Sequence, residues 1–367
     1  FAQLPKPGHF GPGYENCFIV WVDDLDDNAI SIAGSKVARL GELRKMGINV
    51  PDGFVVTTNA FKAFIESNNL EKKIAQKVEL VTDADDLDQV ETISEEIRHL
   101  IEVSEIPEEL CYDIKTAYQE LSFKCSDINL PTAVRSSATG EDSAESSFAG
   151  QFDTYLGVTG RERLVESVRK CWASLFTARA LSYRLKNNLS YESSPMAVGV
   201  LQLVHARVSG VAFSIHPVTG SKDRMVIEGN WGWGEAVVQG VVTPDHIEVG
   251  KTDMRVLDHQ VTDKQVVSAF DYAEGLVIER KMPKLFRRAP ILTEEEIITI
   301  CKTVKDIEDK YNYPVDVEWV VDKNRREGDP VTIVQTRPET IHSNEENDSA
   351  SDKWDPVAYA TKYAFKS

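Results

Sequence analysis

The chain has 367 residues, of which 42% are apolar and 27% charged, an ordinary globular composition with room for two or three subdomains. Its net charge of −18 argues against a nucleic-acid partner bound by bulk electrostatics. No run approaches the roughly 18 apolar residues of a membrane helix, and the first residues lack the pattern of a secretory signal. The five cysteines are widely spaced, so we expect reduced thiols in a cytoplasmic protein, and no disulfide framework or zinc site.

The first half of the chain predicts helices around a few buried strands. Apolar residues at helical spacing predict a helix over 35–46, and Gly47 suits its C-terminus. Apolar runs predict strands at 54–58 and 132–136. Polar helices are expected within 59–130 and a helix over 161–190, with a loop of small and acidic residues at 137–150 between them.

From Met196 onward, short strands separated by turns dominate the pattern. The predicted strands are 198–205, 210–215, 224–230, 246–248, 267–279, 315–321 and 331–336, with one helix at 293–310. This change predicts an N-terminal subdomain over 1–195 and a C-terminal subdomain over 196–341, with a site for a large anionic ligand between them. Residues 342–367 have the composition of a polar linker and an aromatic tail.

Two segments of the first subdomain have the chemistry of an anion site. Gly34-Ser35-Lys36 opens a predicted helix, where unpaired N–H groups and a lysine suit phosphate, although an ordinary helix cap with a surface lysine has the same pattern. Arg135 ends a strand before the small-residue loop that reaches Gly150, an arrangement typical of an anion clamp or of a mobile surface loop.

Two segments of the second half suit the rest of a nucleotide. Gln202 and Leu203 lie in an apolar strand that suits an adenine pocket, and a core strand with one satisfied amide is the alternative. Glycines around Glu235 allow a tight turn that presents this carboxylate to a ribose, and a plain turn is the alternative.

The last two predicted strands carry the strongest candidate for metal chemistry. Strand alternation puts Asp316 and Glu318 on one side of their strand, and Gln335 and Arg337 on one side of the next. If the strands are neighbours, the oxygens of Glu318 and Gln335 suit Mg²⁺, and Arg337 suits the charge on a transferring group. A surface salt bridge between the strands is the alternative.

Taken together, these motifs indicate a nucleoside triphosphate with Mg²⁺. The chain contains neither a GxxxxGK[ST] loop nor a kinase catalytic-loop signature, which disfavours both of those architectures.

Six segments in this order resemble the N-terminal ATP-binding domain shared by phosphoenolpyruvate synthase, pyruvate phosphate dikinase and rifamycin phosphotransferase. They are GSKVARLGEL, VPDGFVVTT, VRSSATGEDSAESSFAGQFDTYLGV, WGWGEAVVQG, VDVEWVVD and IVQTRPET. The resemblance implies an α+β, ATP-grasp-type fold whose two subdomains enclose the nucleotide. Ser35 stands where the family usually has a second glycine.

The resemblance also implies roles for individual residues. Lys36 and Arg135 would hold phosphates, Gly150 and Thr154 would lie near the nucleotide, and Gln202, the backbone of Leu203 and Glu235 would surround adenine and ribose. Glu318 and Gln335 would hold Mg²⁺. Arg337 would stabilise the transferring phosphoryl group.

In this family ATP becomes AMP and phosphate, and the β-phosphoryl group passes to a histidine on a separate swivelling domain. None of the seven histidines here stands in the Ser-His-Ala context of that domain. We therefore expect a partner subunit that carries the histidine. Phenylphosphate synthase has a natural subunit of this kind. By that resemblance we expect the complete system to phosphorylate phenol. The alternatives are an excised domain of phosphoenolpyruvate synthase or rifamycin phosphotransferase, and a non-catalytic nucleotide sensor.

Overall fold

The computed structural model describes residues 17–25, 29–139, 142–143, 146–147, 152–187, 190, 195–233, 243–271 and 276–339. Both helices and strands are present, which confirms the predicted mixed α and β class. The described residues form two compact units. The first contains the residues up to Glu42 together with Asp52–Leu203, and the second contains Leu43–Pro51 together with the residues from Val204 onward.

The first unit is built on a five-stranded sheet. Its strands are β1 (Ile19–Trp21), β2 (Gly53–Val56), β3 (Thr132–Ala138), β6 (Thr154–Val158) and β7 (Met196–Gln202), and the short β4 (Asp142–Ser143) and β5 (Ser146–Ser147) pair with each other. The sheet order is β1-β2-β7-β3-β6, with every neighbouring pair antiparallel.

Seven helices of the described residues accompany this sheet. They are α1 (Ile30–Lys45), α2 (Thr58–Ser67), α3 (Leu70–Val78), α4 (Leu87–Val103), α5 (Glu108–Lys124), α6 (Arg161–Ser174) and α7 (Ala178–Lys186). Helix α2 begins where the predicted strand 54–58 was expected to continue, because the Thr57 side chain accepts a hydrogen bond from the backbone N–H of Ala60.

The core of the first unit lies between the sheet and the helices α2–α7. Phe54, Val134 and Val200 of the sheet are fully buried in the same cluster as Trp172 of α6. The Trp172 ring stacks on Phe64 with 4.8 Å between ring centroids. Burying each such side chain contributes about 1.5–3 kcal/mol, so this packing sets the position of the strands that carry the candidate site.

The second unit is built on a six-stranded antiparallel sheet with the order β11-β10-β9-β8-β14-β15. Its strands are β8 (Ala206–Phe213), β9 (Arg224–Trp231), β10 (Asp245–Gly250), β11 (Val256–Gln260), β14 (Val315–Asp322) and β15 (Thr332–Pro338). A separate hairpin joins β12 (Val266–Asp271) to β13 (Leu276–Lys281), and the helices are α8 (Lys284–Arg287) and α9 (Glu294–Tyr311).

Helix α9 packs on one of the two faces of this sheet. It begins at a capping box in which Thr293 and Glu296 exchange hydrogen bonds, and it packs on β8 and β14. On the same face, Gly229 has no room for a side chain, because a Cβ there would lie 2.9 Å from Ile291 and Trp319. Since side chains alternate along a strand, Glu318 projects from the opposite face to the buried Val317.

Three boundaries differ from the sequence-based expectation. The boundary expected near 195 lies before β7, whereas β7 pairs with β2 and β3, so residues up to Leu203 belong to the first unit. The helix predicted over 161–190 is divided into α6 and α7, and the strand predicted over 267–279 is the β12–β13 hairpin. Residues 342–367 lie outside the described residues.

One connecting segment, Leu43–Pro51, belongs to the second unit although its chain neighbours on both sides belong to the first. Asn49 fixes it to the edge strand, because its carbonyl accepts from the Ile333 N–H at 2.8 Å and its side chain donates to Thr332 at 2.9 Å. Within the described ranges, no helix is long and apolar enough to cross a membrane.

Candidate functional site

Helix α1 lies against the end of strand β3 at Gly34. The helical backbone is interrupted at Gly34, which has φ +68° and ψ 167°. A Cβ at this position would lie only 2.0 Å from the carbonyl oxygen of Ser137. The N–H of Val37, in the first turn after the interruption, donates to Ser137 Oγ at 3.3 Å. Glycine is therefore required here for both its backbone angle and its close approach to β3.

Arg135 lies on the face of the first sheet that α1 covers. It is directly opposite Thr154 on β6 and Gly199 on β7. A Cβ at Gly199 would lie 2.6 Å from Val37 Cγ2, which places α1 over this row of residues. The structure therefore brings Arg135, Thr154 and the turn of α1 that follows Gly34 to the same face.

The half-buried Lys36 adds a cation at this helix start. Burial raises the pKa of the Cys171 thiol, and the positive charge of Lys36 opposes that rise. The Val37 N–H of the turn after Gly34 already donates to Ser137. The groups here that suit phosphate oxygens are therefore the cationic side chains of Lys36 and Arg135.

The second polar cluster lies on the neighbouring strands β14 and β15. These strands pair antiparallel, with Asp316 opposite Arg337 and Glu318 opposite Gln335. Arg337 Nε donates to Asp316 Oδ2 at 2.6 Å. The condition set by the sequence analysis is thus met: a carboxylate, an amide and a guanidinium lie on one face of one pair of strands.

Asp316 is only 5% exposed, and burial raises the pKa of its carboxyl group to about 7. The ion pair with Arg337 lowers that pKa, while the charges of Glu339 and Glu318 raise it further. Burial outweighs the ion pair, because removing a carboxylate from water costs more than one partly exposed guanidinium returns. Asp316 therefore keeps its proton to a higher pH than an ordinary aspartate does, and protonation would weaken its ion pair with Arg337.

Sequence reasoning missed Glu339 as a member of this cluster. It is 6% exposed, and its charge acts on Asp316. The missing signal was strand length. The strand was predicted to end at 336, whereas β15 continues to Pro338, and alternation from Gln335 and Arg337 then leads to Glu339.

The donor set of Glu318 and Gln335 fits a magnesium ion that a phosphate ligand shares. Glu318 is half-buried, Gln335 is 7% exposed, and together they offer one carboxylate and one amide oxygen. Mg²⁺ is usually bound through one or two carboxylates, with water and substrate phosphate in the other positions. Throughout the described part of the chain, no group of three or more His, Cys, Asp or Glu side chains is arranged to hold a metal alone. Glu318 and Gln335 thus offer two of the oxygen ligands that Mg²⁺ takes and leave its other positions to water or phosphate.

The structure does not bring Gln202 beside Arg135. Gln202 pairs with Thr132 at the start of β3, so it lies about 10 Å further along the strand and on the opposite face. The N–H of Leu203 donates to the Pro131 carbonyl at 2.9 Å, so this group is already used within the fold. Any contact of Leu203 with a base would have to use its carbonyl or side chain.

The remaining candidates, Gly150 and Glu235, lie outside the described residues. The segment before Glu235 is described as far as Trp233. Gly232 has φ +77°, and a Cβ there would lie 1.8 Å from the Ser268 carbonyl oxygen. The indole of Trp233 donates to the Val204 carbonyl at 2.9 Å. The glycine expected to allow a tight turn is thus explained by close contact with β12.

Comparison with known proteins decides the family. The model of the family described as "Pyruvate phosphate dikinase, AMP/ATP-binding domain" matches residues 30–356. This chain belongs to that family. The predicted resemblance is confirmed. The matched range contains both the cluster of Lys36 and Arg135 and the cluster on β14 and β15.

Curated relatives carry the name phosphoenolpyruvate synthase. The "Probable phosphoenolpyruvate synthase" of Staphylothermus marinus is 39% identical over 90% of this chain and 42% of its own length. That of Methanothermobacter thermautotrophicus is 38% identical over 88% of this chain and 46% of its own length. The "Phosphoenolpyruvate synthase" of Aeropyrum pernix is 37% identical over 91% of this chain and 44% of its own length. The chain thus spans less than half the length of these relatives.

Proposed function

We propose that this chain is the ATP-binding, ATP-cleaving part of a phosphotransferase of the phosphoenolpyruvate-synthase type, with an ATP-grasp-type arrangement. The observation that supports this best is the register of β14 and β15, which opposes Glu318 to Gln335 and Asp316 to Arg337. A carboxylate, an amide and a guanidinium on one strand pair are the groups that a metal-bound triphosphate requires. The match to an AMP/ATP-binding domain family supports ATP as the nucleotide.

Each cluster has a distinct role in the proposal. Lys36 and Arg135 bind phosphate oxygens and hold the triphosphate in one orientation. Glu318 and Gln335 hold Mg²⁺, which neutralises charge on the phosphate chain when bound. Arg337 stabilises the charge that develops on the transferring group. Thr154 is directly opposite Arg135, and in this proposal its hydroxyl donates to the same phosphates.

The proposed reaction is the first half of the dikinase cycle. ATP, water and a histidine give AMP, phosphate and phosphohistidine. The bond between the α- and β-phosphates breaks and the β-phosphoryl group ends on the imidazole, while the bond between the β- and γ-phosphates breaks and water takes the γ-phosphoryl group as phosphate. The histidine is supplied by a further domain or by a partner subunit. Asp316 takes part indirectly, because it holds the guanidinium of Arg337 that faces the transferring group.

The names of the relatives bear on the final acceptor. The sequence-based expectation was phenol, as in phenylphosphate synthase. The relatives at 37–39% identity are named phosphoenolpyruvate synthases, which favours pyruvate. We therefore propose pyruvate as the acceptor in the complete system and treat phenol as the competing acceptor in the test.

The test uses Mg·ATP labelled at the β-phosphate, with the purified chain and the histidine-bearing, acceptor-binding protein of the same organism. We expect AMP and labelled phosphohistidine only when both proteins are present. Added pyruvate, but not phenol, should then remove the label. ATP binding without AMP formation under any condition would favour a nucleotide sensor, and removal of the label by phenol alone would restore the phenylphosphate interpretation.

A further inference from the structure

In the second sheet, a row of directly paired residues runs from the proposed metal ligands to Glu228 and His246. On the face opposite α9, Glu318 is paired with Val211, Val211 with Glu228, and Glu228 with His246. We call this set the Glu318 row; in strand order its members are Gln335, Glu318, Val211, Glu228 and His246. Neighbouring strands lie about 4.8 Å apart, so the Cα atoms of Glu228 and Glu318 are about 10 Å apart across Val211.

Glu228 is held in place by an imidazole. Its side chain is 8% exposed, and its Oε1 lies 3.1 Å from Nδ1 of His246, which is itself 1% exposed. The other ring nitrogen, Nε2, lies 3.8 Å from Oε1 of Glu248. With carboxylates facing both nitrogens, Nδ1–H donates to Glu228. A carboxylate has about four acceptor sites, so this one hydrogen bond fixes the orientation of Glu228 and leaves capacity for a ligand.

Glu248 provides a useful contrast on the same face. It lies one strand further from Glu318, and Arg224 Nη1 donates to its Oε2 at 2.7 Å. His216 Nε2 lies 3.8 Å from its Oε1. The Glu248 charge is therefore balanced by a guanidinium. Glu228, in contrast, is oriented by an imidazole and lies closer to Glu318 and Gln335.

On the basis of the proposed function, we propose that Glu228 is a further positioning residue for the metal that Glu318 and Gln335 bind. It accepts hydrogen bonds from water that Mg²⁺ keeps when Glu318 and Gln335 bind the ion, and His246 holds its carboxylate in the orientation required. We place water between Glu228 and the ion because Glu228 lies two strands from Glu318, with Val211 between them, and because Mg²⁺ retains several waters in such sites. Partners of this kind tune metal affinity without touching the reacting atoms.

The test measures metal binding rather than turnover. Mn²⁺ serves as the probe, with α,β-methylene-ATP as the nucleotide, and free Mn²⁺ is followed by electron paramagnetic resonance. Glu228→Gln keeps the side-chain size and an acceptor for His246 but removes the charge. We expect it to weaken Mn²⁺ binding to the nucleotide complex roughly tenfold, the lower end of the effect of such outer partners. Glu248→Gln removes the same charge one strand further away and should change binding less than about twofold.

A second pair of variants tests the role of His246. Asn places an amide donor near the position of Nδ1, so His246→Asn should retain most of the Mn²⁺ affinity, while His246→Ala should lose as much as Glu228→Gln. Urea denaturation of each variant separates loss of affinity from loss of folding.

The outcomes separate this inference from the proposed function. If the wild-type chain binds no Mn²⁺ with the nucleotide, the proposed function fails, and the role of Glu228 fails with it. If the wild type binds Mn²⁺ and Glu318→Gln abolishes binding, but Glu228→Gln and Glu248→Gln have equal effects or none, the role of Glu228 alone is overturned.

Discussion

Arg337 Nε donates to Oδ2 of Asp316 across the β14–β15 pairing, and the two atoms are 2.6 Å apart. Arg337 is one-third exposed, whereas the Asp316 side chain is 8% exposed. The buried partner therefore fixes the direction of a guanidinium that still reaches solvent. An arginine held in this way loses little further side-chain entropy when it meets a phosphate, which is the arrangement that catalysis by charge stabilisation requires.

Replacing Arg337 with lysine tests whether this geometry matters beyond charge. Lysine keeps the positive charge but lacks the planar fork and the Nε donor. We expect ATP binding to change by less than about threefold, while AMP formation falls by about 10³ or more, the range seen when a transition-state arginine is lost. Equal losses in binding and turnover would show that Arg337 acts in ground-state binding only.

Gly34→Ala tests the close approach of α1 to β3. The added methyl group would lie 2.0 Å from the Ser137 carbonyl oxygen, at a φ of +68° that disfavours alanine. We expect a loss of about 3 kcal/mol or more in the free energy of unfolding, from backbone strain and overpacking together, and loss of ATP binding.

Gly47→Ala is the matched control for that substitution. Gly47 has φ +81°, and a Cβ there would meet nothing within 4 Å. It should therefore cost only the backbone strain, about 1–2 kcal/mol, and leave ATP binding intact. Similar effects of the two substitutions in chemical denaturation would contradict the contact-based explanation.

Lys36→Gln tests the phosphate role at the start of α1. In the proposed function this half-buried cation binds phosphate, so its removal should weaken ATP binding by about tenfold or more, since a charged hydrogen bond is worth about 1.5–3 kcal/mol. Lys45→Gln removes the same charge from the last turn of the same helix and should leave ATP binding unchanged. Titration calorimetry with ATP and AMP measures this, and an effect limited to ATP would place Lys36 at the β- or γ-phosphate.

Lys264→Met tests a fully buried ion pair of the second unit. Lys264 Nζ lies 2.5 Å from Asp245 Oδ1, and both side chains are 0% exposed. Removing one partner leaves an uncompensated buried carboxylate and should cost about 3–5 kcal/mol of unfolding free energy. The exposed pair of Lys305 and Asp309 is the control, and Lys305→Gln should cost about 0.5 kcal/mol or less in the same urea titration.

Glu295 predicts an acid-sensitive contribution to stability. The bidentate hydrogen bonds from Arg325, at 2.7 and 2.9 Å, are the largest cause that lowers the pKa of Glu295 from 4.5 to about 2. A lowered pKa means that the stabilisation is present above the unfolded value and is lost as pH falls through the folded value. The difference in melting temperature between wild type and Glu295→Gln should thus be constant above about pH 5 and shrink progressively below pH 4.5. A difference that does not change with pH would contradict this account.

Much of the local structure followed from the sequence. Helix α9 was predicted from its acidic first turn and apolar spacing, and it begins at Glu294. The alternation that placed Asp316 with Glu318, and Gln335 with Arg337, is present in β14 and β15. These predictions hold because helix starts and strand faces depend on neighbouring residues, whose spacing along the chain is fixed.

Predictions that depended on strand pairing between segments far apart in the chain were less accurate. The assignment of β7 to the second subdomain was wrong, because hydrogen bonds to β2 and β3, which lie far away in the chain, hold it in the first sheet. The Glu318 row was not foreseen, since Glu228 and His246 lie on strands with no local sign of their register relative to β14.

The sequence by itself determined the family, the residue types at the two clusters and the strand pattern that carries the second cluster. Only the tertiary structure decided that Gly34 lies against Ser137, that Asp316 is buried enough to raise its pKa, and that Gln202 lies on the other face from Arg135. The physical reason is that side-chain periodicity is a local property of the chain, whereas burial, close backbone contact and strand register arise when segments distant in sequence pack together.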